Sequence, residues 1–376
     1  MLKKRLKIMF MVLLGLVAAA GIAAYHILSH PMFGKLPSGE RLKRVQTSPN
    51  YADGSFVNRV PKPHMVEGVS MPQLAWDFLF KKKERSRPSR PLPTERPDLK
   101  ALPLEQDTVV WLGHSSLYMH VGGRRFLVDP NFTRYASPFT WRTYSFDGTD
   151  LYTAADLPEI DYLLITHAHF DHLNFDTIVA IKDKVGKVVC GLGVGEHLEY
   201  WGVPADKITE LDWDESLSLD DGIELHCVSA HHFSGRTLWR PNPTLWASYV
   251  LKTPSLTLFV GGDSGYGPHF EDIGKRFGSF DLVLLENGQY DPNWKYNHLH
   301  PSEALQAARD LGAKRLLPVH AGRFVLANHP WDEPYILLST LHQEREFELA
   351  TPKIGEPVDP LEEGRTYPRW WEGVDD

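Results

Sequence analysis

The stretch THAHFDH, residues 166–172, follows an apolar, β-rich run and places four metal-binding side chains within six residues. In an extended segment His167 and His169 point the same way, because side chains alternate with a period of two. Asp171 and His172 come one turn later and reach a second position. Imidazole and carboxylate groups suit Zn²⁺, and this set is large enough to divide between two ions. A lone histidine is usually a satisfied core or surface residue, but four such groups at this spacing predict a metal site.

Later positions beside predicted strand ends offer further ligands. They are the pair His231-His232, Asp263 in the glycine-rich turn after an apolar strand, and His320. Glycines let the backbone turn tightly there and bring a carboxylate close to an ion. Taken alone, each is a turn aspartate or a strand-capping histidine. Together with the histidine-rich stretch they predict strand ends that converge on one catalytic face.

These residues resemble the ligand pattern of the metallo-β-lactamase superfamily. Within it, several shorter motifs are similar to the branch of the N-acylphosphatidylethanolamine-hydrolysing phospholipase D and its bacterial relatives. The resemblance spans about residues 108–330. The motifs are WLGH (111–114), FLVDP (126–130), GDSGY (262–266), FEDIGKRF (270–277), YDP with Trp294 and His298 (from 290), and Asn328-His329.

The resemblance implies a site for two Zn²⁺ ions, with iron and manganese as the alternative metals. The family segment places His232 in register as a ligand, and His231 is the alternative. The implied ligands are His167, His169 and His232 for one ion, Asp171, His172 and His320 for the other, and Asp263 as the bridge.

Catalytic roles follow from the same resemblance. Asp171 and Asp263 act at the metals, and His298 contacts the leaving group or a phosphate, unless it is an ordinary helix-entry residue. Asp129 corresponds to an early aspartate that orients a ligand histidine. Arg236 binds phosphate or is a surface arginine. The remaining candidates for indirect or substrate contacts are His114, His231 and His300.

The order of elements predicts an α/β fold. From Thr108, short β-rich runs broken by Gly113 and by Gly122-Gly123 indicate hairpins, and strands then alternate with helices. This order predicts a four-layer αββα sandwich, with two sheets face to face and helices outside. The predicted parts are a signal anchor or signal peptide (1–28), an extended stem with a basic, proline-rich linker (29–105), the metallo-β-lactamase-like catalytic domain (106–350) and a C-terminal tail (351–376).

The N-terminus predicts a membrane location. Four basic residues before position 8 precede an apolar run over 8–24 without a charge, which is the length of a short membrane span. The basic flank stays in the cytoplasm, so the catalytic domain is expected outside it, in the cell envelope or periplasm. If the apolar run is instead a signal peptide that is cleaved at the small residues near Ala20, the protein becomes periplasmic or secreted. The basic run 81–97 is a solvated linker or a strip that meets anionic lipid.

Composition limits the classes of function that the sequence supports. The 376 residues carry 40 basic and 48 acidic groups, and the net charge of −8 argues against a nucleic-acid partner. Two cysteines are too few for a disulfide framework or a thiolate cluster. The predicted activity is phospholipase D-type hydrolysis of glycerophospholipids such as N-acylphosphatidylethanolamine. The alternatives are a lactonase or other ester or amide hydrolase, and a non-catalytic membrane-anchored scaffold. The expected partners are a phospholipid or other ester and the membrane, and a homodimer is left open.

Overall fold

A computed structural model describes residues 2–81, 83–236, 241–342 and 346–375. Two seven-stranded sheets make up most of the catalytic domain. The helices are α1 (Leu2–Leu28), α2 (Gly39–Thr47), α3 (Met71–Phe80), α4 (Phe175–Ile181), α5 (Gly195–Tyr200), α6 (His269–Phe277), α7 (Pro301–Asp310) and α8 (Glu333–Leu341). The strands are β1 (Tyr51–Ala52), β2 (Ser55–Phe56), β3 (Thr108–Trp111), β4 (Leu117–Val121), β5 (Arg124–Val128), β6 (Ile160–Ile165), β7 (Val185–Gly191), β8 (Ile208–Leu211), β9 (Ser216–Ser218), β10 (Glu224–Val228), β11 (Ser248–Lys252), β12 (Thr257–Val260), β13 (Leu282–Glu286), β14 (Arg315–Val319), β15 (Glu348–Leu349) and β16 (Pro357–Val358).

Each sheet joins an antiparallel part to a parallel part. The first has the order β16-β3-β4-β5-β6-β7-β8 and the second β15-β14-β13-β12-β11-β10-β9. The predicted hairpin between β4 and β5 is present, and Gly122 and Gly123 both have positive φ in its turn. From β5 to β8, and from β12 to β15, neighbouring strands are parallel. Parallel strands end at the same edge of a sheet, which is where the ligand-bearing loops begin.

The alternation of side chains along β6 shows how the layers pack. Tyr162 and Leu164 point into the core between the sheets, whereas Leu163 and Ile165 pack on the outer side with residues of α4 and α5. The second sheet carries α6, α7 and α8 on its outer face in the same way. The predicted four-layer αββα sandwich is therefore confirmed, because both faces of each sheet are covered by apolar side chains.

The segment 29–105 is less extended than its sequence suggests. Val45 and Phe56 are at most 1% exposed and belong to the core between the sheets. Burying each such side chain contributes about 1.5–3 kcal/mol, so this segment is held firmly. Arg41 also pairs with Glu196 and Glu210, at 3.0 Å each. Local sequence periodicity does not reveal these contacts, because the partners of Arg41 lie 155 and 169 residues away in the chain.

The C-terminal segment also packs against the catalytic domain. Strand β16 pairs with β3 at the edge of the first sheet. Trp370 and Trp371 are 6% and 3% exposed and pack within the core between the sheets. The boundaries at 105 and 350 stay predictions, but the residues on either side of them share one core.

Helix α1 stands apart from the packed layers. Among the residues that the structure describes, Lys3–Leu28 is the one helix long and apolar enough to cross a membrane, with a mean hydropathy of 2.3 and none of that span buried. Its 27 residues span about 40 Å, more than the hydrocarbon core of about 30 Å. Length and composition thus permit a membrane span, whereas anchoring and cleavage stay predictions.

Candidate metal centre

The seven predicted ligands lie together beside the ends of four strands. The histidine-rich stretch follows β6, His232 follows β10, Asp263 follows β12 and His320 follows β14. Within each group below, the potential ligand atoms lie within 4.8 Å of one another. One group contains His167, His169, His232 and Asp263, a second contains His114, Asp171, His172 and His320, and a third contains Asp263, Glu286, His298 and His320. The first two, called the two ligand groups below, correspond to the two sets that the resemblance implies, with His114 as an additional member.

Asp263 lies between the two groups. Its Oδ2 is 3.6 Å from Nε2 of His232 and 3.2 Å from Nε2 of His172, while its Oδ1 is 3.2 Å from Nδ1 of His320. The side chain is 2% exposed, and burial raises its pKa to about 6 although His172 acts in the opposite direction. A carboxylate placed between two groups of imidazoles has the position required of a bridging ligand.

The donor set fits divalent metal ions. Burial lowers the pKa of His167 and His232 well below the ordinary value and that of His169 to about 3, which favours the neutral imidazole that binds metals. Among the described residues, buried Nε2 of His172 and Oδ1 of Asp263 have no partner in hydrogen-bonding geometry. Buried polar atoms are normally satisfied, and coordination would satisfy both. Nitrogen and carboxylate donors suit zinc, iron and manganese alike.

Asp129 orients one ligand. Nδ1 of His172 donates to Oδ2 of Asp129 at 2.8 Å, so Nε2 of the same ring is directed toward the ligand group. Thr166 donates twice to the same carboxylate, from its backbone N–H at 2.8 Å and its hydroxyl at 2.5 Å. Asp129 therefore connects the ring of His172 to the end of β6.

We expect Asp129→Asn to lower metal affinity about 10-fold, because partners that orient metal-binding histidines contribute 10–100-fold. The asparagine keeps the size of the side chain but removes the charge that faces His172. Competition with a chelator measures the affinity, and circular dichroism checks the fold. The exposed Asp206→Asn is the control. Unchanged affinity in Asp129→Asn would show that His172 does not depend on this contact.

Arg236 contacts the ligand loop rather than the cavity. Its Nη1 donates to the carbonyls of Ala168 and Leu173 at 2.8 and 2.9 Å, and Nε and Nη2 donate to the carbonyl of Met32. The guanidinium lies 4.0 Å from the ring centre of Phe170. Its N–H groups therefore support the loop that carries the ligands, and this geometry gives no support to the predicted phosphate contact.

The structure separates the remaining histidine candidates. His114 is fully buried, and its Nε2 donates to Oδ2 of Asp171 at 2.8 Å. His231 lies outside both ligand groups, and its backbone N–H donates to Ser264. His300 is exposed and caps α7 by accepting from the backbone N–H of Ser302. The sequence analysis left such a helix-entry role open for His298, and in the structure His300 has it.

Glu286 is a site residue that the sequence analysis missed. It is 0% exposed at the end of β13, and its Oε2 accepts from Nδ1 of His298 at 2.6 Å. Its Oε1 accepts from the backbone N–H groups of Ser264 at 2.7 Å and Leu299 at 3.4 Å. One feature of the sequence could have indicated Glu286. It is an acidic residue at the end of an apolar strand, and the neighbouring strands end at the same edge of the sheet.

A cavity of about 200 Å³ opens onto the ligands. Asp171, Asp263 and His298 lie on its polar side, and Phe233 and Leu326 lie on its apolar side. Larger cavities of about 850 and 510 Å³ are lined mainly by the C-terminal segment and contain none of the ligand residues. The smaller cavity is therefore the candidate active site, because it alone among these combines the metal-binding groups with access from outside.

Residues 124–321 match the family described as the beta-lactamase superfamily domain, and the chain belongs to this superfamily. Fold and site together define a metal-dependent hydrolase of the metallo-β-lactamase superfamily.

Three relatives narrow the comparison. An uncharacterised protein of Mycobacterium tuberculosis is 38% identical over 87% of this chain and 88% of its own length. N-acyl-phosphatidylethanolamine-hydrolyzing phospholipase D 1 of Caenorhabditis elegans is 27% identical over 65% of this chain and 74% of that protein. Outer membrane protein RomA of Klebsiella pneumoniae is 55% identical over 103 residues, which are 27% of this chain and 77% of that protein. The predicted resemblance to the phospholipase D branch is thus confirmed at the level of relatives.

Solved structures agree on the fold. CmlA, a diiron β-hydroxylase from Streptomyces venezuelae, aligns with a TM-score of 0.54 and 20% identity over 68% of this chain and 54% of that one. An isothiocyanate hydrolase from Delia radicum gut bacteria aligns with a TM-score of 0.53 and 17% identity over 67% of this chain and 98% of that one. At these identities the likeness concerns the fold alone.

Proposed function

We propose that the protein is a di-zinc phosphodiesterase of the phospholipase D type that hydrolyses glycerophospholipids such as N-acylphosphatidylethanolamine. The observation that carries the proposal is the position of Asp263, whose carboxylate lies within 3.6 Å of nitrogens from both ligand groups in a cavity that also contains His298. Sites that hold two metal ions are suited to reactions in which a nucleophile displaces a leaving group at phosphorus. The similarity to the phospholipase D of Caenorhabditis elegans supports a lipid phosphodiester as substrate.

Two ions held by these ligands would supply a nucleophile from water at neutral pH and neutralise charge that develops on the phosphate oxygens. The chain's own residues orient the reaction. His298 is held through Nδ1 by Glu286, which leaves Nε2 to take a proton from the attacking water and return it to the leaving oxygen. Phe233 and Leu326 form an apolar side that suits the lipid part of the substrate.

Zinc is the proposed metal, and iron is the main competitor. Neutral imidazoles and carboxylates hold either ion, and CmlA is a diiron protein of the same fold. Elemental analysis of the purified full-length protein tests this part. Two equivalents of zinc per chain support the proposal, whereas two equivalents of iron contradict it.

We also propose that α1 anchors the protein in a membrane, with the catalytic domain outside the cytoplasm. The fully exposed apolar span supports this, as does the similarity of one part of the chain to a protein named for the outer membrane. The basic residues that precede the apolar run support the orientation. Protease protection in intact and permeabilised cells tests both.

Lipid mass spectrometry tests the reaction. The zinc-loaded full-length protein is incubated with total membrane lipid supplemented with N-acylphosphatidylethanolamine, and Asp263→Asn is the blank. We expect phosphatidic acid and the matching free headgroup in the active sample alone. Untouched lipids with two bound metals would contradict the proposal and direct attention to lactones and other esters. Failure on those substrates as well would favour the non-catalytic scaffold.

A further inference from the structure

The residues that directly follow α1 are attached to the catalytic domain. Segment 30–35, called the strap below, begins two positions after the last residue of α1. The carbonyl of Pro31 accepts from Nε1 of Trp201 at 2.7 Å, and the backbone N–H of Lys35 donates to Nδ1 of His197 at 3.0 Å. Trp201 and His197 are 5% and 2% exposed. The strap therefore joins α1 to side chains that are buried in the domain.

Arg236 connects the strap to the ligand loop, residues 166–173. Its guanidinium donates to the carbonyls of Ala168 and Leu173 in the loop and to the carbonyl of Met32 in the strap. Ala168 and Leu173 are 0% exposed, and buried carbonyls need a hydrogen-bond partner. The position of the loop thus depends on a guanidinium that the strap also holds. The two loop carbonyls bracket three of the predicted ligands, His169, Asp171 and His172.

Aromatic rings make a second contact between the strap and the ligand loop. The ring of Phe33 meets the ring of Phe170 edge to face, with centroids 5.7 Å apart. Cζ of Arg236 lies 4.0 Å from the centre of the same Phe170 ring. Edge-to-face pairs and cation–π contacts are both favourable geometries. Phe170 lies between His169 and Asp171 in the chain, so its ring fixes backbone that carries two predicted ligands.

Gly34 determines how the strap reaches the domain. Its φ is +71°, and a Cβ added there would lie 2.0 Å from Nδ1 of His197. The ring of His197 has little freedom to move aside, because it is buried and stacked on Trp201 with centroids 6.0 Å apart. A side chain at position 34 is therefore incompatible with the docked strap.

We propose that the strap and Arg236 position the ligand loop, so that the metal centre reaches its full affinity only while the strap is docked. Met32, Phe33 and Arg236 are positioning residues, because they act through the backbone and the Phe170 ring of the loop. The inference rests on the metal centre of the proposed function and on no particular substrate. If a signal is cleaved near Ala20, the strap stays on the released protein, which should keep its full affinity.

Two glycine variants of the full-length protein separate docking of the strap from backbone strain. Gly34→Ala places a methyl group against His197. Gly39→Ala is the matched control, because its φ of +56° is also positive but the space around an added Cβ is open. Phe33→Ala removes the ring that meets Phe170 and is an independent second variant.

Three measurements are made on each variant. Competition between the protein and a chelator for Co²⁺ gives the metal affinity. Visible absorption of the cobalt-loaded protein reports the coordination geometry, and the thermal midpoint of the metal-free protein reports the stability of the domain.

We expect Gly34→Ala and Phe33→Ala to lower metal affinity about 10-fold, the lower end of the effect of partners that orient metal ligands. Both should also change the visible absorption, and Gly39→Ala should match the wild type. If Gly34→Ala does not fold, Phe33→Ala alone decides.

A lower thermal midpoint with unchanged affinity and absorption in the strap variants would overturn the proposal, because the strap would then stabilise the domain without positioning the loop. An equal loss of affinity in Gly39→Ala would overturn it too, since backbone strain would be the cause. Metal binding is measured without substrate, so failure of this inference and failure of the lipid assay are distinguishable.

Discussion

Replacing Asp263 by asparagine is expected to abolish turnover while leaving the fold largely intact. The carboxylate lies within 3.6 Å of ligand nitrogens on His172, His232 and His320, so both ligand groups share its charge. Asparagine has nearly the same shape but replaces one anionic oxygen by an N–H donor. Loss of a group that only orients a ligand costs 10–100-fold, so loss of the shared ligand itself should exceed about 10²-fold.

Metal content, turnover and thermal unfolding measure the three parts of this expectation. We expect Asp263→Asn to hold less than two metals per chain and to keep its sheet signal in circular dichroism. Asp183→Asn is the matched control, because that side chain is 94% exposed and remote from the ligands. Full activity with two bound metals in Asp263→Asn would remove this residue from the site.

The clustering of the candidate ligands could be predicted because their signals are local. Four of the seven lie in one short stretch after a strand, and strand alternation is visible in runs such as that of β6. Asp263 and His320 were individually more difficult to predict as ligands, but both follow apolar strands that end at the same edge of the second sheet. A sequence can therefore identify such a site wherever the metal-binding residues sit directly after buried strands.

What the sequence missed depends on contacts between distant segments. Arg236 donates to the carbonyl of Met32, 204 residues earlier, as well as to the ligand loop. Asn58 donates to the backbone carbonyl of His232, 174 residues away, and accepts from its N–H. Nothing near either residue indicates its partner, and the turn-rich composition of 29–105 suggested an extended stem. The segment that follows α1 instead supports two of the loops that carry ligands.

His298→Ala is expected to retain both metals and to lower kcat by about 10²-fold, the lower end of the contribution of a general acid or base. Its ring is on the cavity lining and belongs to neither of the two ligand groups, although it forms a third candidate group with Asp263, Glu286 and His320. Elemental analysis and steady-state kinetics on the substrate found by mass spectrometry measure the two quantities. Loss of metal in His298→Ala would show that this histidine is a ligand.

Glu286 acts through His298 if it is a positioning residue, and Glu286→Gln tests this. The glutamine retains an Oε1 that accepts from Ser264 and Leu299, but it presents an N–H₂ donor to Nδ1 of His298 in place of a carboxylate oxygen. We expect kcat to fall about 10-fold, as for weakened orientation of a catalytic group, with KM, metal content and thermal midpoint unchanged.

A double-mutant cycle separates positioning from a structural role. With His298 already replaced by alanine, Glu286→Gln has no ring left to misorient, so its effect on kcat should disappear. If the two effects instead multiply, Glu286 acts through the turn that carries Asp263, because its other oxygen accepts from the backbone of Ser264 directly beside that ligand. Its effect would then appear in metal affinity as well as in rate, and the assignment of Glu286 to His298 would be wrong.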